Sequence, residues 1–272
     1  MNYLDLVDEK LSYALSNNKT QVNFKGEMLD FPFSAYLYLK KGSDKLFVVL
    51  NGAVSEDYKG RVCYHRWSWS DKFPGSVLFI TDPTLLKHAD LSLAWYIGNL
   101  NSKVDKHIAR FVEKVAGYLQ TEKIVPYGSS GGGFAAIQLA CNIDKYATVA
   151  VTINPQVKLS EHRRQPVDKY LESCWPGYDV SLLDSDLSFD ALSNFKINVP
   201  DIIYIQNTVD KLHYERHFIP FLKGVGFDMN SIGNPISIQT GSIRALVYDH
   251  ESGHAAEPKE LLPEIFQTID QL

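Results

Sequence analysis

Ser130, Asp210 and His254 are the residues of this chain whose types and order could carry nucleophilic chemistry. A serine hydroxyl attacks well only when a base removes its proton, and that base needs a partner to orient it. Ser130 is the centre of Gly128-Ser129-Ser130-Gly131-Gly132, a G-x-S-x-G pentapeptide between the apolar run "KIVPY" and the small-residue stretch "GFAAIQLA". That setting, strand then sharp turn then helix, is the one the motif needs to expose a serine at strained backbone angles. Ser129 does not fit, because Tyr127 stands where its upstream glycine should be, so it reads as a small spacer. Asp210 follows the apolar run "DIIYIQN" and precedes a helical segment, where it would also suit a helix N-cap. "YDHESGHAAEP" offers two histidines: His250 close against a strand end, and His254 in a Gly-His-Ala-Ala turn able to project over Ser130. His254 is the chosen base, and Asp249 and Glu251 read as solvated loop acids.

Other uses of the glycine turn fare worse. A Walker-type phosphate loop needs Lys-Ser or Lys-Thr after its last glycine, and Phe134-Ala135 stands there. Gly131, Gly133 and Ala136 do match G-x-G-x-x-G/A, but the next strand ends at Asn154-Pro155 without a carboxylate to hold a ribose. The acyl-transfer reading also needs donors for an oxyanion. One backbone N–H would come from Gly131, after the nucleophile, and another from Gly52 or Ala53 in "FVVLNGAV". Asn51, beside them, could donate through its side chain or shape the turn.

The elements that must position these residues read as alternating strands and helices. "SAYLYLKK" alternates, and "KLFVVLNG" and "SVLFITDP" are continuous apolar runs typical of strands buried on both faces. "ATVAVTINP", "DIIYIQN" and "IRALVYD" add three more. Helical periodicity marks residues 4–15, the face Val104, Ile108, Phe111, Val112, Val115 and Leu119, and a last helix starting near Pro263. The expected class is α/β, a mainly parallel central sheet flanked by helices in one domain over residues 1–272. Residues 155–200 are too long for a simple connection and read as a small helical cap inserted over the sheet.

Composition sets limits. Hydrophobic residues are 45% of the 272 and charged residues 22%, enough for a real core. A net charge of −5 gives no reason to expect nucleic acid or an anionic membrane. No apolar run suits a membrane span, and acids in "MNYLDLVDEKLSYALS" argue against an export signal. Cys63, Cys141 and Cys174 have no metal-ligand spacing and leave an odd thiol, which points to a reduced, cytoplasmic setting.

Together the glycine turn, Asn51-Gly52, Asp210 and His254 resemble the α/β-hydrolase superfamily over roughly residues 20–272. Asn51 departs from the His-Gly that its lipases and esterases commonly show. "YGSSGGGFAAIQLA" and "INPQ" are further similar to proteins encoded with bacterial surface-polysaccharide genes, some of which are sugar O-acetyltransferases. The resemblance implies an acyl-serine intermediate at Ser130, with three possible outcomes. The first is an esterase acting on a carbohydrate or small-molecule ester, needing no cofactor. The second is a polysaccharide or sugar O-acetyltransferase with acetyl-CoA as acyl donor. The third is a silent binding protein on the same fold. Trp67, Trp69 and Trp175, with Asn51, are the expected substrate contacts, and Tyr64, Trp95, Tyr96 and Tyr178 lie in the same segments. His213 and His217 sit four apart, but the sequence supplies no further ligand, so no metal is expected. Arg163 and Arg164 read as a solvated helix face.

Overall fold

In the computed structural model, which describes residues 3–197, 199–226, 236–240 and 243–272, nine strands form one sheet. They are β1 (Gln21–Met28), β2 (Phe31–Tyr38), β3 (Lys45–Leu50), β4 (Ser76–Ile80), β5 (Lys123–Ser129), β6 (Ala147–Ile153), β7 (Asp201–Asn207), β8 (Ile236–Thr240) and β9 (Ile243–Tyr248). The spatial order is β1-β2-β4-β3-β5-β6-β7-β9-β8. From β4 to β9 the pairing is parallel, while the edge pairings β1–β2, β2–β4 and β9–β8 are antiparallel.

The continuous apolar runs follow from burial on both faces. In β3, Leu46, Val48 and Leu50 pack toward α1 (Tyr3–Ser16) and α3 (Asp105–Leu119), whereas Phe47 and Val49 face the opposite layer with α10 (Leu262–Gln271). The short α2 (Pro83–Lys87) starts from Asp82, whose side chain caps it by accepting from Thr84 N–H. Helix α4 (Gly131–Asn142) is buried along nearly its whole length, which explains why it shows no polar face. Pro263 lies in the first turn of α10, where its missing N–H leaves no helical bond unmade.

Residues 155–200 hold α5 (Arg164–Cys174), α6 (Val180–Leu183) and α7 (Ala191–Ile197), with residue 198 outside the described residues. Tyr170, Trp175, Phe189 and Phe195 from this segment pack into one apolar cluster with Trp95 and Ile137. After β7 come the short α8 (Lys211–His213), a π-helical turn (Tyr214–Phe218) and α9 (Ile219–Gly224).

The parallel register then does the positioning. Leu50 pairs with Gly128, Ser129 with Ile153, Ile153 with Ile205, and Asn207 with Tyr248. The carboxyl ends of β3, β5, β6, β7 and β9 are therefore level, and the residues just beyond them share one rim. Open parallel sheets bind ligands there.

Candidate active site

Ser130 has φ 57° and ψ −124°, a left-handed conformation that a β-carbon disfavours. Holding it costs on the order of 1–3 kcal/mol, so the surroundings must impose it. Ser130 N–H donates to the Ile153 carbonyl at 2.9 Å, and the Ser130 carbonyl accepts from Gly133 and Phe134 N–H at 3.0 and 3.1 Å. The glycines make the turn sterically possible. A β-carbon on Gly128 would collide with the Gly132 carbonyl, and one on Gly132 would collide with the Leu50 carbonyl and the Asn51 backbone. Ser129 ends β5, paired with Ile153, and takes no part in the strained step.

His254 Nε2 lies 2.9 Å from Ser130 Oγ, and His254 Nδ1 lies 2.5 Å from Asp210 Oδ2. Nδ1–H donates to the carboxylate, which leaves Nε2 free to accept the serine proton. Burial alone pushes the Asp210 carboxyl up, but hydrogen bonds from His213 and His254 outweigh it and hold the group well below the usual carboxylate range. Asp210 also caps α8, accepting from His213 N–H at 3.4 Å, so both uses expected of it coexist. His250 is exposed; its ring meets Ser252 Oγ at 2.7 Å rather than the serine at 130.

The loop carrying His254 is pinned from three strands. Asn207 Nδ2 donates to the carbonyls of His250 and Gly253, both at 2.8 Å, and Asn154 Nδ2 donates to the Ala255 carbonyl at 3.0 Å. Three residues beyond His254, the fully buried Glu257 receives Arg66 through two bonds, 2.9 and 2.5 Å, and Tyr127 OH at 2.5 Å. This bidentate pair couples the His254 loop to the segment that carries His65, Trp67 and Trp69. The sequence reading names Asn154 only as a strand end and within "INPQ", and gives no role to Asn154, Asn207, Arg66 or Glu257. Two of them stand at strand ends on the rim, which is the one signal that marks them.

Gln156, which closes the "INPQ" stretch but has no role assigned from sequence, lies against the nucleophile. It is fully buried, and its Nε2 donates to Ser130 Oγ at 2.9 Å and to His213 Nε2 at 2.7 Å. Trp95 Nε1–H donates to its Oε1 at 3.1 Å, which fixes which end of the amide faces the serine. His213 reaches Asp210 through Nδ1 at 3.0 Å, and its ring stacks on His254 with centroids 3.9 Å apart.

The β3–β4 side forms the other wall. A β-carbon on Gly52 would press on the Ser129 carbonyl oxygen at 2.9 Å and reach Ser130 Cβ at 3.5 Å, so this turn passes directly beside the nucleophile. Its N–H points to His65 Nδ1 over a long 3.4 Å, and burial, then Arg66, pushes His65 down to about 4, so the ring is a neutral acceptor. Ala53 is exposed beside it. Gly131 is the first residue of α4, where an N–H has no acceptor within the helix.

Asn51 is buried and its amide is engaged. Oδ1 accepts from Asp82 N–H at 3.0 Å and meets Tyr96 OH at 2.6 Å, and Nδ2 donates to the Gly52 carbonyl at 2.8 Å. It shapes the turn rather than reaching for substrate. Trp175 is corrected too. It is 1% exposed, its Nε1–H donates to Tyr170 OH, and it stacks edge-on against Phe189. An aromatic that fills the core cannot also line a mouth. Trp67 is 62% exposed, and Trp69 is half-buried with the Arg66 and Lys259 cations over its ring.

His162 joins His213 and His217, and ring nitrogens of the three lie within 4.8 Å of one another. Their hydrogen bonds argue against a metal site. Val157 N–H donates to His217 Nδ1, so the neutral His217 ring carries its proton on Nε2, the nitrogen a metal would need. His213 Nε2 already accepts from Gln156. Burial depresses all three, with His162 pushed down to about 3.

No family model and no curated protein matches this chain, but solved structures share its fold. A variant of the capsule O-acetyltransferase of Neisseria meningitidis serogroup A, in complex with CoA, is 18% identical with a TM-score of 0.60, covering 90% of this chain and 96% of that one. The acetyl xylan esterase from Paenibacillus sp. R4 is 14% identical, TM-score 0.59, covering 98% and 94%. An S-formylglutathione hydrolase from Agrobacterium tumefaciens is 15% identical, TM-score 0.56, covering 92% of each. The chain has the α/β-hydrolase fold of these proteins. No helix among the described residues is long and apolar enough to cross a membrane.

Proposed function

We propose that the protein is a serine-dependent acyl-transfer enzyme working through an acyl-serine, with hydrolysis of a carbohydrate or small-molecule ester as its reaction. The observation that carries this is Ser130 Oγ, displayed on a strained turn 2.9 Å from His254 Nε2, whose other nitrogen meets a buried carboxylate. A fold hosts many activities, so the argument rests on this constellation and not on the fold.

His254 takes the Ser130 proton as Oγ bonds to the acyl carbon, and the carbonyl oxygen becomes an oxyanion. Gly131 and Ala53 N–H are its donors in this proposal, because Gly52 N–H is turned toward His65. Each such donor lowers the barrier by roughly 3 kcal/mol. Collapse of the adduct expels the alcohol, which leaves with the His254 proton. Water then gives its proton to His254, attacks the acyl carbon, and releases Ser130. Residues 155–200 act as a cap in this scheme, and Trp67 and Trp69 as sugar contacts. The odd count of three cysteines, with no metal-ligand spacing among Cys63, Cys141 and Cys174, supports a reduced, cytoplasmic setting.

A second reading replaces water by a sugar hydroxyl and the ester by acetyl-CoA. It is favoured by the structural match to a CoA-bound capsule O-acetyltransferase along nearly the full length of both chains. An oriented acceptor must outcompete bulk water, and effective molarities of about 10⁵ M or more make that feasible.

The test is intact-mass labelling with a fluorophosphonate, followed by incubation with acetyl esters or acetyl-CoA, with and without polysaccharide, read by NMR. A Ser130 adduct with free acetate as the product supports the esterase. Acetylated sugar, lost in Ser130→Ala, moves the assignment to the transferase. No adduct and no turnover of any donor would reduce the chain to a silent binding protein.

A further inference from the structure

The hydrogen bonds around Ser130 close into a ring. Ser130 Oγ meets His254, His254 meets Asp210, Asp210 meets His213, His213 meets Gln156, and Gln156 returns to Ser130 Oγ. The acyl-transfer mechanism above uses only the first half of it.

The proton positions in the second half follow from donors whose roles are fixed. Trp95 Nε1 can only donate, so the Gln156 atom facing it is the oxygen, and the amide NH₂ faces Ser130 and His213. His213 Nε2 is then an acceptor, and its ring proton sits on Nδ1, aimed at the Asp210 carboxylate. Turning the Gln156 amide over would set NH₂ against Trp95 N–H, and both of those residues are buried from solvent. Such a clash leaves buried donors unmatched and is costly. The amide is therefore held as a fixed donor to Oγ, and the serine hydrogen is left for His254 to accept.

We propose that Gln156 is a catalytic residue that stabilises negative charge on Ser130 Oγ, with His213 as its positioning residue, so that Asp210 organises both flanks of the nucleophile. The inference rests on the acyl-serine reading. Charge builds on Oγ as its proton leaves for His254, and again when Oγ departs from the acyl carbon in the second half-reaction. A hydrogen bond donated to an anion is stronger than one to a neutral hydroxyl, so the amide favours both transition states over the resting serine. No proton moves to or from Gln156. Oγ loses its hydrogen to His254 and regains it from His254.

The test uses the full-length protein, an activated acetyl ester with the burst and the steady state resolved, and fluorophosphonate labelling of the same preparations. Gln156→Ala should slow acylation, labelling and turnover by about 10- to 100-fold, the range expected for losing one charge-assisted donor, with KM little changed. Gln156→Glu keeps the shape but sets a carboxylate beside the developing alkoxide, and should be slower than Gln156→Ala. A residue that merely fills space would give the opposite order, and that result would overturn the proposal. His213→Phe, which retains a ring to stack on His254, should lower kcat rather than raise KM. Combined with Gln156→Ala, it should add less than it costs alone, because both disturb the amide's bond to Ser130 Oγ, although His213→Phe also removes a donor to Asp210. Fully additive losses would refute the positioning role. Melting curves identify any variant that fails to fold, and Gln156→Glu against Gln156→Ala is read only on folded protein. Normal labelling of Gln156→Ala at Ser130 sinks this inference alone, whereas an unlabelled wild-type protein sinks the acyl-serine reading beneath it.

Discussion

Two histidines share the Asp210 carboxylate, and they could hardly be held more differently. The His254 side chain is 36% exposed and comes from a loop, while that of His213 is 3% exposed and comes from a helical segment. The rings are stacked, nearly parallel at 9°. His213 has both nitrogens committed to fixed partners, and burial, more than any neighbour, holds it below the ordinary histidine range. A ring in that position stays neutral and keeps its tautomer. His254 has one committed nitrogen and one facing a hydroxyl whose proton it can take. The difference separates orientation from proton transfer: a group that must change charge needs contact with water, and a group that must not is better buried.

The largest effects should come from breaking the exposed arm. His254→Ala and Asp210→Asn should each lower turnover by about three or more orders of magnitude with substrate binding nearly intact. His250→Ala, on the same loop, should retain most activity. A dead His250→Ala beside an active His254→Ala, in steady-state assays at one pH, would reverse the assignment of the base.

Next in size is the clamp that holds that arm in place. Glu257 is buried with Arg66 and Tyr127 as partners. Glu257→Gln leaves a buried guanidinium without its counter-charge, and removing one partner of such a pair typically costs about 3–5 kcal/mol. Denaturant titration should show that loss. Turnover should fall as well, since the same loop carries His254. A Glu257→Gln variant of unchanged stability would show that the clamp is dispensable.

The two arms also differ in how visible they are in the chain. Ser130, Asp210 and His254 can be named because each follows a buried strand, and because the glycines at 128 and 132 answer steric demands that the motif encodes. The parallel strands were legible as well, since burial on both faces makes them continuous apolar runs. Edge strand β1 was not singled out, although its alternating burial reflects one wet face. Gln156 and His213 are 57 positions apart, and nothing in either neighbourhood announces that the other completes it. Arg66 and Glu257 are 191 apart. Trp175 misled for a related reason: a tryptophan in a helical insertion looks the same whether it caps a core or lines a mouth, and only packing decides. Pairings made by tertiary structure between polar residues carry no local period, so the second half of the hydrogen-bonded ring becomes visible only in three dimensions.

The smallest effect sharpens the buried side of the comparison through acid stability. His162 packs against His213 and His217, is 9% exposed, and leaves Nδ1 without a partner among the described residues. Burial, followed by His213, His254 and Arg163, pushes it down to about 3, while Asp210 pulls the other way. The unfolded chain binds this proton at about pH 6.5, and the folded protein refuses it until far lower. A depressed folded value means that the associated stability is fully present above about pH 6.5. It is lost as pH falls from there toward about 3. At pH 5 the folded ring is still neutral, and the unfolded ring is about 1.5 pH units below its midpoint. The loss attributable to His162 is then about 2 kcal/mol. His65, pushed down to about 4, adds in the same direction. His162→Phe removes both the titration and the unpartnered nitrogen, and it leaves a ring of similar size against Trp95. Melting temperatures of wild type and variant should therefore lie close together at pH 7.5 and separate by several degrees at pH 5, at roughly 2–4 °C per kcal/mol for a chain of this size. Parallel curves for the two proteins between pH 7.5 and 5 would mean that His162 is protonated in the folded state, and the picture of a neutral buried wall behind His213 would have to be abandoned.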